Sequence, residues 1–397
     1  MTDLETRVTP PGSATLRRAA PALLGYAAVR ALGLLALVLW SAARDKSAYP
    51  LLTARWDALW YTRVAELGYG YEVRLPNGDV HSNLAFFPLL PWLERLLHAV
   101  TPLSYADAGF VVSLLASFAA AWGVFAVADQ VYGRRAGVCA VLVWAVLPVG
   151  IVQSMAYSES LFTALAAWSL YAVLTGRWVT AGALASLAGL TRPVGLAVVA
   201  AVWAAAVLSF VRDRETSTAD TPPRRGVAAG APIASRALGM LLAPLGVAGY
   251  VLWVGHHTGK GPLGYLDVQA GWRNGFDGGY AFARFVADKF TSFPSALAGV
   301  GLIVGVALLL WLYAVCVRQR QPLALLVYAG AVLALALCAS SYFGSKPRLL
   351  LPAFPLLLPL ALALARLRTS RSALVVGCLA AASAVYGAWW LNGSGPP

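Results

Sequence analysis

Runs of about twenty apolar residues with almost no charge recur along this chain, and a helix of that length spans a bilayer's hydrocarbon core. Inside lipid every backbone N–H and C=O must be satisfied within the protein, so such runs fold as helices. Candidate spans lie near 22–42, 108–130, 137–153, 158–175, 178–191, 194–211, 237–255, 297–317, 323–341, 349–365 and 373–391. The 397 residues are 59% hydrophobic and only 12% charged, where a soluble domain carries about a quarter. Mean hydropathy is +0.70. The expected fold class is all-α: a polytopic integral membrane protein of about 11 transmembrane helices, forming one domain over 21–397 behind a disordered cytoplasmic segment, 1–20.

The net charge is +13. Such a charge suggests nucleic acid when it clusters on a soluble face. Here Lys and Arg sit between apolar runs, so membrane topology accounts for them and no nucleic-acid partner is expected. With the N-terminus inside, every cytoplasmic connection is basic: Arg17–Arg18, Arg134–Arg135, Arg177, Arg212–Arg236, Arg318–Arg320 and Arg366–Arg371. The segment 212–236, rich in Arg, Pro, Ser and Thr, reads as a cytoplasmic linker. The run 21–40 exceeds the ~7–15 residues of a signal h-region, so an uncleaved first span is expected despite Ser41-Ala42-Ala43. Cys139, Cys316, Cys338 and Cys378 lie in apolar stretches without a C-x-x-C pair and read as packing residues. Arg30, well inside the first span, either snorkels inward or marks a polar seam.

Two long segments, 43–107 and 256–296, fall outside and are rich in aromatics, as segments lying in the interface are. The first holds "RWDALWYTRVAELGYGYE" and "NLAFFPLLPWLERLL". As a helix, 56–67 places Asp57, Trp60, Tyr61 and Val64 on one face and Arg55, Thr62 and Glu66 on another. Asp57 is either a helix cap or a buried base. Four further charges stand at outer span ends: Glu159 in "SMAYSESLF", Arg192 in "GLTRPVGL", and Lys346 with Arg348 in "SSYFGSKPRLLLPAFP". Charges at membrane depth are rare and by default mark a site. The plainer readings are a Glu159–Arg192 structural pair and snorkelling of Lys346 and Arg348. One acid on an aromatic scaffold beside several cations suits transfer from a phosphate-linked lipid. The acid takes a proton from an acceptor hydroxyl, and the cations hold the departing phosphate.

The stretches "RWDALWYTRVAELGY", "NLAFFPLLPWL", "AYSESLF", "LTRPVGL" and "KPRLLLPAFPLL" together resemble the PIG-V-like mannosyltransferases of the GT-C superfamily. The resemblance implies a GT-C-like fold with interfacial helices in the first outer loop. It implies a polyprenyl-phosphate mannose donor, inverting transfer to a glycolipid or glycoprotein acceptor on the outer face, and no cofactor. It places the base at Asp57 and the donor-phosphate contacts at Lys346 and Arg348, with Arg192 beside them. Trp56, Trp60, Tyr61 and Glu159 fall in its motifs as substrate contacts. Asp267, Trp272 and Arg273, in "GYLDVQAGWR", form a candidate acceptor or sugar platform. Many members carry two adjacent acids, whereas Asp57 lies between Trp56 and Ala58, which leaves Asp79, Glu66 and Asp267 as candidates for the second. His256 and His257 lack a third ligand at metal spacing, and no D-x-D triplet occurs on an outer segment, so no metal is expected. The competing readings are the same architecture with another polyprenyl-phosphate sugar, a transporter or flippase, and a non-catalytic assembly partner. A transporter usually carries inverted repeats and mid-membrane charges; here no repeat shows and the notable charges cluster at one face, with Arg30 the exception. A GPI intermediate fits the eukaryotic relatives as acceptor. The alanine-rich, short-looped chain looks bacterial, which favours an envelope glycolipid or a glycoprotein.

Overall fold

A computed structural model of the chain describes residues 16–218, 232–393 and 395. Residues 1–15, and with them most of the segment expected to be disordered, lie outside the described residues. So do 219–231 of the expected linker. Its flanks are helical: the helix Gly195–Thr218 runs into it, and the next begins at Ile233.

The chain is helical wherever the apolar runs fall. Six described helices are long and apolar enough to cross a membrane: Leu16–Ala42, Tyr105–Tyr132, Gly195–Arg214, Ile233–His257, Ser295–Arg318 and Thr369–Leu391. A seventh candidate is a bent pair, Phe343–Leu349 and Phe354–Arg366, with 75° between its halves. Ser158–Leu174, Trp178–Gly189 and Leu323–Cys338 are shorter apolar helices. The expected spans 137–153 and 349–365 are therefore not continuous. The first is helical only to Ala145, and a 3-10 turn at Gly150–Ser154 follows. Pro148 falls in the first break and Pro352 in the second, and proline lacks the N–H that the next turn needs.

The helices approach closely through small residues. A methyl group on Gly182 would stand 2.2 Å from the Gly239 carbonyl oxygen, so only glycine permits that crossing. Two contacts mark opposite ends of the bundle. Arg18 pairs with Asp129 at 2.7 Å, joining the start of the first long helix to the end of the second. Asn392 donates to Ser41 Oγ at 3.1 Å, joining the ends of the first and last helices. The first long helix thus runs from the Arg18 end to the Ser41 end, and the second runs back.

Irregular backbone at membrane depth survives only where the protein satisfies it. At the first break, Gln153 donates to the Trp144 carbonyl at 2.9 Å and Ser383 to the Leu147 carbonyl at 2.7 Å. Arg30, 4% exposed, donates to the carbonyls of Ala145 and Gly150. It is part of a polar seam, and it caps a helix that ends inside the bundle. At the second break, Trp144 donates to Leu351 at 3.0 Å and Tyr328 to Pro352 at 2.9 Å. Arg30→Met takes a charged side-chain donor from two buried carbonyls. The expected loss is on the order of 3 kcal/mol, read as a lower unfolding temperature of the purified protein in detergent.

The two aromatic segments dock on each other at the Ser41 end. A hairpin, Glu72–Arg74 with Val80–Ser82, meets the helix Gly264–Gly271. Trp272 Nε1 donates to the Ser82 carbonyl at 3.0 Å, and a methyl on Gly271 would meet the Val80 carbonyl oxygen at 2.3 Å. A short pairing of Gly275–Phe276 with Ala339–Ser340 then ties the second segment to the chain leading into Lys346.

The helix Leu89–Val100 turns Leu90, Pro91 and Glu94 inward. Glu94 is 1% exposed, and neither carboxyl oxygen has a hydrogen-bond partner. Burial pushes this carboxyl well above the usual carboxylate range. Between its unfolded and folded pKa the native state holds a proton that the unfolded state has released, so stability falls as pH rises through that window. Glu94→Gln is expected to raise the unfolding temperature at pH 8 and to change it little near pH 4. A thermal-unfolding series across pH measures this.

Candidate active site

Four segments far apart in sequence bring their charges together at the Ser41 end. Asp57 opens the helix Asp57–Leu67. Its preceding residue, Trp56, has φ 52, a left-handed turn that non-glycine residues rarely adopt. The helix Tyr49–Thr53 fixes this turn, because the Leu52 carbonyl accepts from the Ala156 N–H at 2.9 Å. The Arg55 guanidinium lies 4.0 Å from the Trp56 ring centroid. Trp56 holds the capping position, and Asp57 directs its carboxylate elsewhere.

That carboxylate accepts from Arg348 Nη1 at 2.7 Å, across 291 positions of sequence. The Arg348 side chain is 8% exposed and that of Asp57 is 26% exposed, so Asp57 retains an open side. Arg348 Nε lies 3.3 Å from Glu159 Oε1, and Arg192 Nη1 pairs with the same oxygen. Glu159 sits in the first turn of Ser158–Leu174, where helix N–H dipoles favour an anion. It is 2% exposed and neither oxygen has an aligned hydrogen bond, so ionic contact holds it in place. The result is one chain, Asp57–Arg348–Glu159–Arg192, with two negative and two positive groups. Such pairs are strong where water is excluded.

Neutral groups frame the chain. Tyr61 and Ser158 share a hydrogen bond of 2.7 Å, and Arg192 reaches Ser158 Oγ at 3.4 Å. Burial pushes the Tyr61 phenol up, so it stays protonated. The Arg348 guanidinium stands 5.0 Å from the Tyr157 ring centroid. The Leu190 carbonyl accepts from Leu89 N at 3.0 Å and so anchors the turn that carries Arg192.

The other expected site residues divide. Lys346, 5% exposed, donates to the carbonyls of Ala336 and Ala339 at 2.7 and 2.8 Å, with its ammonium 5.0 Å from the Phe282 ring centroid. Residues two apart on a helical turn point in different directions, so Lys346 faces away from the Arg348 pair. Trp60 and Trp272 meet edge to face at 4.9 Å in a cluster with Phe86, and His81 stacks on Trp272 at 4.0 Å. Tyr61 also touches Phe86, at 5.1 Å, which joins this cluster to the ion chain. Asp267 is exposed and lies 3.6 Å from Lys260, and Arg273 pairs with Asp79 at 2.5 Å on the surface. Glu66 is exposed. None of the three acids considered as a second carboxylate reaches Asp57, and the acid that shares its cation is Glu159. Tyr157 and Ser158 were missed. Both lie inside "AYSESLF", but neither carries a charge to single it out.

The fold is shared with ArnT from Cupriavidus metallidurans. Its structure bound to undecaprenyl phosphate matches at TM-score 0.50 and 16% identity over 87% of this chain. Its apo state matches at TM-score 0.50 and 18% identity, also over 87% of this chain. The chain spans 63% and 62% of those two. An oligosaccharyltransferase from Archaeoglobus fulgidus matches at TM-score 0.46 and 14% identity, over 93% of this chain and 53% of that one. No curated protein matches the chain. The segment carrying Asp57, Glu159 and Arg192 is where the sequence resemblance is borne out: residues 40–217 match the family described as Mannosyltransferase (PIG-V).

Proposed function

We propose that the chain is a membrane mannosyltransferase that takes mannose from a polyprenyl-phosphate mannose and gives it to a glycolipid or glycoprotein on the outer face. The observation that carries this reading is the ion chain. An acid with one open side is joined to two guanidiniums at the mouth of a helical bundle, with aromatic rings beside it. The family match over 40–217 supports the sugar class. The solved relative's complex with undecaprenyl phosphate supports a lipid-phosphate carrier.

In this reading Asp57 takes the proton of an acceptor hydroxyl as its oxygen attacks the sugar's anomeric carbon. The bond from that carbon to the phosphate oxygen breaks, and the polyprenyl phosphate leaves with the electron pair. Attack opposite the leaving group inverts the centre. Arg348 and Arg192 take up the charge that grows on the phosphate, with Lys346 supplying further positive charge nearby. Trp60, Trp272 and Phe86 offer ring faces to a sugar. The architecture that goes with this reading has eleven membrane crossings in one domain and a cytoplasmic N-terminus. The short helices of 49–67 and 89–100 lie in the outer interface.

The test is direct. Purified protein in lipid receives polyprenyl-phosphate [14C]mannose and an envelope glycolipid extract. Labelled glycolipid, with none formed from GDP-mannose alone, is the expected result. Transfer of glucose or arabinose from the matching lipid phosphates in place of mannose would correct the sugar. No binding of any polyprenyl phosphate would overturn the enzyme reading.

A further inference from the structure

The ion chain is electrically closed. Asp57 and Glu159 balance Arg192 and Arg348, and the hydrogen bond from Arg348 occupies Asp57 Oδ2. While the bond stands, that oxygen is held against the guanidinium, and Oδ1 is the oxygen left to an acceptor hydroxyl. A phosphate entering the site brings new negative charge to a cluster whose cations are already taken. Lys346 is committed to two carbonyls on the far side of its turn.

We propose that the Asp57–Arg348 pair is a latch opened by the donor. The donor's phosphate and Asp57 compete for the same guanidinium edge. When the phosphate takes Nη1 of Arg348, Asp57 is released and both its oxygens are open to the acceptor hydroxyl. Glu159 is the positioning residue that makes the exchange local. It contacts Arg348 through Nε, not Nη1, and the same oxygen is held by Arg192. The guanidinium therefore stays in place when its Nη1 partner changes. The exposure values fit this division. Asp57, the side chain that must let go, is 26% exposed, while Glu159, the one that must hold, is 2% exposed. Both carboxylate oxygens are thus free only when the donor is bound, which favours activation of the acceptor hydroxyl after donor binding. This inference rests on the proposed use of a polyprenyl-phosphate donor.

The test is the affinity for undecaprenyl phosphate, the leaving group without its sugar. Removing the competitor should tighten binding, so Asp57→Asn is expected to bind undecaprenyl phosphate about tenfold more tightly than the wild type, although the same change abolishes transfer. Simple removal of a repulsive charge would also tighten binding, and a background without the guanidinium separates the two causes. In Arg348→Met/Glu159→Gln, adding Asp57→Asn should bring no gain if the latch operates. A gain that persists there, or unchanged or weaker binding by Asp57→Asn alone, overturns the latch. Failure of the wild type to bind undecaprenyl phosphate at all overturns the donor reading instead. A second measurement uses only the wild type. Undecaprenyl phosphate should speed amide hydrogen exchange at 57–60 while slowing it at 346–351. Equal protection of both segments overturns the latch even if the variants fail to fold.

Discussion

Asp57→Asn is expected to lower the transfer rate on the order of 10³-fold, as the loss of a positioned general base does. The substitution keeps the shape of the side chain and removes its ability to take a proton. It leaves the fold almost unchanged for a reason visible in the site. Arg348 loses one partner but keeps Glu159, and the Asp57 side chain is 26% exposed, so water reaches the altered position. The two effects are measured separately, as mannose transfer at saturating donor and as thermal unfolding in detergent. A variant that folds normally, binds lipid phosphate and transfers nothing is the expected outcome. Transfer within a few-fold of wild type would remove Asp57 from the chemistry and return it to a structural role in the Arg348 pair.

The apolar runs made the helices legible, because a twenty-residue run has few alternatives in lipid. The breaks were less so. Averaged hydropathy carries straight through Pro148–Gly150 and through the prolines around Arg348, although those residues stop the helices. The same breaks expose the helix ends on which Glu159 and Arg348 sit. The charges of the site could be read one by one, but their pairing could not. Nothing local links positions 57 and 348, and the bent helix pair alone brings them to 2.7 Å. The candidate second acids, Asp79, Glu66 and Asp267, lie in the aromatic outer segments, whereas Glu159 reads from sequence as one half of a pair with Arg192. It is that, and it also holds Arg348. Asp267 and Arg273 were singled out by their aromatic neighbours. Trp272 does join the cluster, while the two charged residues beside it turn to the surface.

Arg348→Met carries the largest expected effect on stability. It leaves Asp57 and Glu159 without their shared cation and gives the cluster one negative charge in excess. Breaking a buried pair by removing one partner costs about 3–5 kcal/mol, because the remaining charge stays desolvated. Glu159→Gln alone errs the other way, leaving one positive charge in excess at a group that is 2% exposed. The double variant Arg348→Met/Glu159→Gln is neutral again. Asp57 faces water on one side, and Arg192 still reaches Ser158 Oγ and the new amide position. The double variant should therefore unfold at a higher temperature than the Arg348→Met single variant, a non-additivity expected only of residues in contact. Transfer activity should stay absent, because Arg348, the guanidinium beside Asp57 that receives the phosphate, is gone. Stability that returns without activity separates the two roles of Arg348, as the counter-charge of the fold and as the ligand of the leaving group. If the losses simply add, Arg348 and Glu159 do not act as one cluster, and the contact between them has no energetic meaning.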